Sequence, residues 1–185
     1  SEAEEIEKEL REVAKEVREL MREMLKNNKE VAEEVKRRLE RSRERLEEVE
    51  ETVRDLLEKI KDKKTVRDVI RTVKKLLKEI LDRNKKVIDE VKELSRENVK
   101  RSEDVSRDVL RRLEEILRKV RAAGVDDKVV KKIEDDIREV EKEARKLNRE
   151  NRELSKKLAE ELDRSNDRHR REVERVEREL EKAER

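Results

Sequence analysis

The chain has 185 residues, of which 58% are charged and 31% hydrophobic, and its 55 basic and 53 acidic residues leave a net charge of +2. Since the two signs are interspersed, the composition excludes the one-sided field that attracts nucleic acid or an anionic membrane. Cysteine is absent, which excludes disulfides, thiolate chemistry and cysteine metal sites and leaves the redox compartment open.

Aromatic residues, proline and glutamine are absent as well, so the composition suits long, uninterrupted helices, and nothing in it favours a sheet. The missing aromatic rings also exclude stacking on nucleobases. No apolar run approaches the roughly 20 residues of a membrane span, and no signal-peptide pattern is present. We therefore expect a water-soluble chain without a targeting signal, whose compartment the sequence does not identify.

Apolar residues recur along the chain with a period of 18 residues, which is five turns of an unstrained 3.6-residue helix. A seam with this spacing runs straight along one helix face, whereas a 3.5-residue repeat would force a left-handed supercoil. The first segment predicts a helix over about 1–61, with Ser1 and Glu4 as a capping box. Its expected seam is Ile6, Leu10, Val13, Val17, Leu20, Met24, Asn28, Val31, Val35, Leu39, Ser42, Leu46, Val49, Val53, Leu56 and Ile60.

The second segment predicts a helix over about 65–122, with a seam that runs from Val66 to Val120. We expect Thr65 and Asp68 to cap its start. The preceding turn, residues 61–64, has neither glycine nor proline and is the weaker of the two helix-ending signals.

The third segment predicts a helix over about 126–185, with a seam that runs from Val129 to Ala183. Gly124 is expected to take the left-handed conformation that ends a helix, and Asp126 is the expected N-cap. Val125 and Val130 have the spacing of a hydrophobic staple.

The apolar stripe is wider than a coiled-coil dimer needs, which is typical of helices that touch two neighbours. Flanking apolar residues, most of them on the second helix, widen it: Met21, Leu25, Leu76, Leu81, Val87, Leu94, Leu110 and Leu117. We predict an all-α fold, an elongated antiparallel (up-down-up) three-helix bundle with straight, nearly untwisted helices. The whole chain, 1–185, is expected to form a single domain.

Polar residues within the seams fall at two common heights if the chain reverses direction at each of its two turns. Facing residue numbers should add to about 126 between the first and second helices and to about 249 between the second and third. The first predicted layer holds Asn28, Asn98 and Asn151, with Asn27, Asn148, Ser95, Ser102 and Ser155 within a turn. The second predicted layer holds Ser42, Asn84 and Ser165, with Asn166 and His169 alongside.

These layers predict buried hydrogen-bond networks, because an unsatisfied buried amide costs roughly 1–3 kcal/mol. Their expected role is to specify register and topology, since a slipped bundle would bury unpaired amides. The alternative is that the same residues mark a binding crevice or a partly wet core.

His169 is the single histidine of the chain, and reflection places it beside Ile80 and Leu46. We expect a satisfied core imidazole; a metal ligand, a general base and a weak acid sensor are the alternatives. No phosphate-binding loop, nucleophile elbow, zinc motif or calcium loop is present. The sequence therefore predicts neither an enzyme nor a site for a cofactor or metal.

Across its whole length the chain resembles computationally designed (de novo) helical bundles with buried hydrogen-bond networks. The straight seams, near-equal helices, short capped turns and Asn/Ser/His layers carry the resemblance, and the first turn departs from it because it lacks glycine and proline. The resemblance implies a structural scaffold without biochemical activity, made by recombinant cytoplasmic expression. It also implies a monomer that requires no partner.

Two other readings remain open. One is a helical interaction module that assembles with further helices into a homo- or hetero-oligomeric bundle, including a domain-swapped dimer opened at residues 61–64. The other is a natural cytoskeletal rod, although such rods usually carry the aromatic core anchors that this chain lacks.

Overall fold

The protein is a three-helix bundle, as the sequence predicts. A computed structural model describes the backbone of residues 2–184 and the side chains of residues 4–184. The helices are α1 (Glu2–Lys59), α2 (Lys63–Ala122) and α3 (Asp127–Glu184), and residues 2–184 contain no strand. The first residue of the predicted Ser1–Glu4 capping box lies outside the described residues.

The chain divides into two compact units, each with a part of every helix. Unit 1 comprises Ser1–Glu30 and Leu94–Lys156, and unit 2 comprises Val31–Glu93 and Lys157–Arg185. The single domain over 1–185 stays a prediction.

Unit 1 has one aliphatic cluster, to which all three helices contribute. Leu113, Val120 and Ile133 have no exposed surface. The cluster consists of Leu10, Val13, Ala14, Val17, Met21, Val109, Leu113, Ile116, Val120, Ile133, Ile137, Val140 and Ala144. Burying each large aliphatic side chain contributes roughly 1.5–3 kcal/mol, so the hydrophobic effect drives the pairing of these helix faces.

Unit 2 has two smaller aliphatic clusters. Leu77 is the most buried member of the first, and Leu162 is the most buried member of the second. The first holds Leu46, Val53, Ile70, Val73, Leu77, Val173, Val176 and Leu180. The second holds Ala32, Val35, Leu39, Ile88, Val91, Leu158 and Leu162.

Three residues of the expected α1 seam are exposed instead of buried: Leu20 and Leu56 by 44% and Val31 by 41%. Met21 and Leu25, which were expected as flanking residues, are only 2% and 8% exposed. Because α1 contacts both other helices, its most buried line lies between the two contacts. The predicted seam departs from that line at these three positions, whereas eight of its other residues are buried: Leu10, Val13, Val17, Asn28, Val35, Leu39, Leu46 and Val53.

Asp62 caps the start of α2, and the prediction that Thr65 and Asp68 do so is wrong. The Asp62 carboxylate accepts hydrogen bonds from the Thr65 hydroxyl at 2.8 Å and from the Lys64 backbone N–H at 3.3 Å. Its backbone carbonyl accepts from the Val66 N–H at 3.0 Å. The hydrogen bond from Thr65, followed by the one from Lys64, lowers the pKa of Asp62. Thr65 is thus a donor to the cap, and α2 begins two residues earlier than predicted.

The second turn confirms the roles of Gly124 and Asp126. Gly124 has a φ of 65°, the left-handed conformation that a residue with a Cβ atom rarely adopts. The Asp126 backbone carbonyl accepts from the N–H groups of Val129 and Val130 at 2.9 and 3.0 Å. Val125 and Val130 are both half-buried and pack against the unit 1 cluster, as expected for a hydrophobic staple at the start of α3.

We expect Asp62→Ala to lower the midpoint of denaturant unfolding more than Thr65→Ala does, because the carboxylate satisfies the first amides of α2. Asp62→Asn is the control, since an asparagine oxygen also accepts at an N-cap. The lowered pKa of Asp62 means that its contribution is present above the ordinary Asp pKa and is lost as the pH falls through the lowered value. A larger loss from Thr65→Ala would contradict this assignment.

Candidate functional site: the buried polar side chains

Asn28 and Asn151 form a buried amide pair between α1 and α3 in unit 1. Asn28 Nδ2 donates to Asn151 Oδ1 at 2.8 Å, and the two residues are 3% and 2% exposed. Asn151 Nδ2 is buried without a hydrogen-bond partner. The pair therefore joins two helices at one height while leaving one donor unsatisfied.

Asn98, the third member of the first predicted layer, makes a different contact. Its side chain is half-buried and donates to the backbone carbonyl of Met24 at 3.4 Å. Since the Asn98 amide reaches a main-chain acceptor on the neighbouring helix, it has a hydrogen-bond partner without the other two asparagines. Unit 1 thus has an Asn28–Asn151 pair and a separate contact from α2 to α1.

Two further pairs join α2 to α3 in unit 1. The hydroxyls of Ser95 and Ser155 lie 2.6 Å apart, and Ser102 Oγ donates to Asn148 Oδ1 at 2.6 Å. In both pairs the residue numbers add to 250, one more than reflection at the turn predicts. Asn27, also expected near this layer, is exposed.

Ser42 and Asn84 pair between α1 and α2 in unit 2, at the predicted register. Asn84 Nδ2 donates to Ser42 Oγ at 2.9 Å, and Ser42 Oγ lies 3.4 Å from Asn84 Oδ1. Ser165 is buried and Asn166 is half-buried. Among the described side chains neither hydrogen-bonds to this pair, so the second predicted layer is a pair and not a triad.

His169 is 4% exposed, and one of its two ring nitrogens is satisfied. Its Nδ1 lies 2.8 Å from the backbone carbonyl of Ser165, one turn earlier on α3. A carbonyl oxygen only accepts, so Nδ1 carries the hydrogen and Nε2 of the neutral ring carries a lone pair. Nε2 is buried without a hydrogen-bond partner. The expectation of a satisfied core imidazole therefore holds for one ring nitrogen only.

Ser106 is a buried polar residue that the sequence interpretation missed. It is 5% exposed and lies one helical turn after Ser102. The register of 250 places it opposite Ala144, so two small residues face each other. The four-residue spacing from Ser102 was the signal that could have found it.

Ion pairs join α1 to α3 at the edge of unit 2. Arg175 donates to both carboxylate oxygens of Glu50 and also binds Glu172 and Glu179 on its own helix. The hydrogen bonds with Glu172 and then Glu50 raise the pKa of Arg175. The hydrogen bond from Arg175 lowers the pKa of Glu172. Arg54 similarly lowers the pKa of Glu179 by hydrogen bonding.

The polar pairs are uncharged and mostly buried, so they supply donors and acceptors without an activated nucleophile. Within the described part of the chain, no group of three or more His, Cys, Asp or Glu side chains is placed to hold a metal ion. No described helix is long and apolar enough to cross a membrane.

Comparison with known proteins identifies the fold. No protein-family model and no curated protein sequence matches the chain. A solved structure described as a "Computationally designed three helix bundle" is similar, with a TM-score of 0.59 and 17% sequence identity. The similarity covers 99% of this chain and 86% of that one. At this identity the likeness shows the three-helix fold alone.

Asn151→Leu should destabilise the protein by about 1–3 kcal/mol, because it leaves the buried Asn28 amide without its acceptor. The double variant Asn28→Leu/Asn151→Leu should lie within about 1 kcal/mol of the parent or be more stable, since both polar groups are removed. Denaturant unfolding of the four proteins completes a double-mutant cycle. The exposed control Asn27→Leu should change stability by less than about 0.5 kcal/mol. Additive single effects would contradict the pairing.

Arg175→Leu should lower the stability of unit 2 near neutral pH. In acid, the difference in stability between this variant and the parent should be smaller. A carboxylate with a lowered pKa contributes stability above its ordinary pKa of 4.5 and loses it as the pH falls through the lowered value. The expected loss is less than about 1 kcal/mol, because this edge is solvated. Denaturation midpoints near pH 7 and near pH 3 test the prediction.

Arg138→Leu is the control for that comparison, because its ion pair with Asp135 is long, 3.9 Å, and exposed. A gap between the parent and Arg175→Leu that stays constant down to about pH 3 would contradict the role of the Arg175 cluster.

Proposed function

We propose that the protein is a de novo designed structural scaffold without biochemical activity, in which buried Asn, Ser and His side chains specify register and topology. One observation carries the proposal: every pair of helices is joined by at least one uncharged side-chain pair. These pairs are Asn28–Asn151, Ser42–Asn84, Ser95–Ser155 and Ser102–Asn148.

Geometry supports this role, because aliphatic faces alone tolerate sliding by one helical repeat. A slip of one turn moves each Asn about 5.4 Å from its partner, which is beyond hydrogen-bond reach. The slipped state would bury several unpaired amides and hydroxyls, each at a cost of about 1–3 kcal/mol. Uncharged partners supply this selectivity without the larger desolvation penalty of buried ions.

The proposed scaffold requires no nucleic acid, membrane or cofactor, and it works as a monomer made by recombinant cytoplasmic expression. The pairing of the buried polar residues supports this, because each pair joins only two side chains, whereas a catalytic site needs several polar groups converging on one pocket.

A second candidate is a helical interaction module, which exposed apolar side chains on α1 and α2 of unit 2 favour. Leu56, Leu76 and Val87 are 44%, 50% and 38% exposed. The interhelical ion pairs of this unit named above all involve α3, so the α1–α2 edge carries apolar residues where the α1–α3 edge carries charges. A second copy of the chain would bury these side chains.

An aliphatic variant tests the scaffold proposal. Replacing the four polar pairs by Leu, Val or Ala should preserve or raise thermal stability, because hydrophobic burial increases. It should also lose a unique register, seen as broadened or duplicated amide resonances and as masses above 22.4 kDa in light scattering. A variant that keeps sharp, single resonances and the monomer mass would contradict the proposal.

The parent protein separates the two candidates in the same measurement. A mass of 22.4 kDa over a wide concentration range supports the scaffold. A multiple of that mass, returned to 22.4 kDa by Leu56→Glu or Leu76→Lys, supports the interaction module.

A further inference from the structure

The α1–α3 edge of unit 2 contains a groove that the scaffold role does not use. Its volume is about 720 Å³, and its floor includes Leu39, Leu162, Ser165 and His169. Seven of the lining residues are Lys or Arg and three are Glu. The chain as a whole is nearly neutral, with a net charge of +2, so positive charge is concentrated here.

The register of the edge places two arginines face to face inside this groove. Lys36–Glu161 and Glu50–Arg175 pair across it, and in both pairs the residue numbers differ by 125. Arg43 and Arg168 also differ by 125 and lie midway between those pairs, and both line the groove. A ladder of opposite charges is therefore interrupted by one pair of like charges.

Two of the three acids that line the groove are paired with other residues, Glu161 with Lys36 and Glu172 with Arg175. Arg168 makes no hydrogen bond or ion pair with the residues described in the structure. Arg43 has Glu172 within electrostatic range, but Glu172 hydrogen-bonds to Arg175. Two guanidinium groups on opposite walls can each donate two hydrogen bonds to one tetrahedral oxyanion, which would also relieve their repulsion.

His169 supplies a second, independent feature that points to a ligand. Its Nδ1–H is bound to the Ser165 carbonyl, so the lone pair of Nε2 faces away from the α3 backbone. That nitrogen is buried and unpartnered in a residue that lines the groove. A buried acceptor without a donor is destabilising, and a ligand hydroxyl would satisfy it.

We propose that this groove binds a phosphate that carries a proton. Its anionic oxygens accept from Arg43 and Arg168, and its P–OH donates to Nε2 of His169 after a side-chain movement that uncovers this buried nitrogen. Near pH 7 inorganic phosphate has at least one P–OH, whereas sulfate has the same shape and no proton to donate. The site therefore selects phosphate over sulfate through the lone pair of Nε2, and the arginines supply the attraction that both anions share.

The chain offers a clean probe of this site. His169 is the single histidine and there are no aromatic residues, so its two ring C–H protons are the only such signals in a proton NMR spectrum. Titration with sodium phosphate near pH 7 and at an ionic strength of about 20 mM should shift them in a saturable manner. Sodium sulfate at equal ionic strength should bind about five- to tenfold more weakly.

Variants separate the arginine contribution from the histidine contribution. Arg168→Gln should weaken phosphate binding about tenfold, because it removes a charged donor. Arg170→Gln is the matched control: it removes the same charge two residues away, pairs with Asp167 at 3.0 Å and does not line the groove. It should leave the affinity within about twofold of the parent. Arg43→Gln should repeat the effect of Arg168→Gln.

His169→Leu tests selectivity by a different readout, the calorimetric affinities for the two anions. It should bring phosphate and sulfate to within about twofold of each other while retaining weak binding of both. The absence of a saturable shift in the parent would overturn the proposal. Equal binding of the two anions by the parent, or an equal loss in Arg170→Gln, would overturn it as well.

Discussion

The hydrogen bond between Asn28 and Asn151 is the constraint on which the proposed register of unit 1 depends. Hydrophobic burial brings helix faces together but is non-directional, so it distinguishes poorly between registers that differ by one turn. An amide pair at 2.8 Å tolerates no such shift. In the proposed scaffold the two contributions differ in kind, since burial provides most of the stability and the amide pair is the contact that would select one alignment.

The buried polar side chains are not all satisfied. Asn151 Nδ2 and His169 Nε2 are both buried without partners. An amide has two donor hydrogens and a two-lone-pair acceptor, so a single partner cannot satisfy it. Serine pairs avoid this difficulty because one rotatable hydroxyl both donates and accepts, as Ser42 does with Asn84. The smaller residue therefore makes the more completely satisfied contact.

The sequence predicted the helices and the pairing of residues across them because both follow from periodicity and from two short turns. The Ser42–Asn84 register was predicted without error, and the α2–α3 register within one residue. The predictions that were wrong concern which acceptors a side chain can reach. Asn98 binds a backbone carbonyl of α1, an acceptor that every residue carries and that no pattern of side chains reveals. Asp62 was overlooked as a cap because a threonine three residues later fits the same signature.

The edges of unit 2 differ in chemistry, and this difference affects which helix faces can meet. Charged pairs such as Lys36–Glu161 and Lys92–Asp163 join α3 to both other helices. The α1–α2 edge instead exposes Leu56 and Leu76. Any arrangement in which other faces of the helices meet would separate these ion pairs. Each exposed ion pair contributes less than about 1 kcal/mol to stability, so the discrimination from one pair is small and grows with the number of pairs.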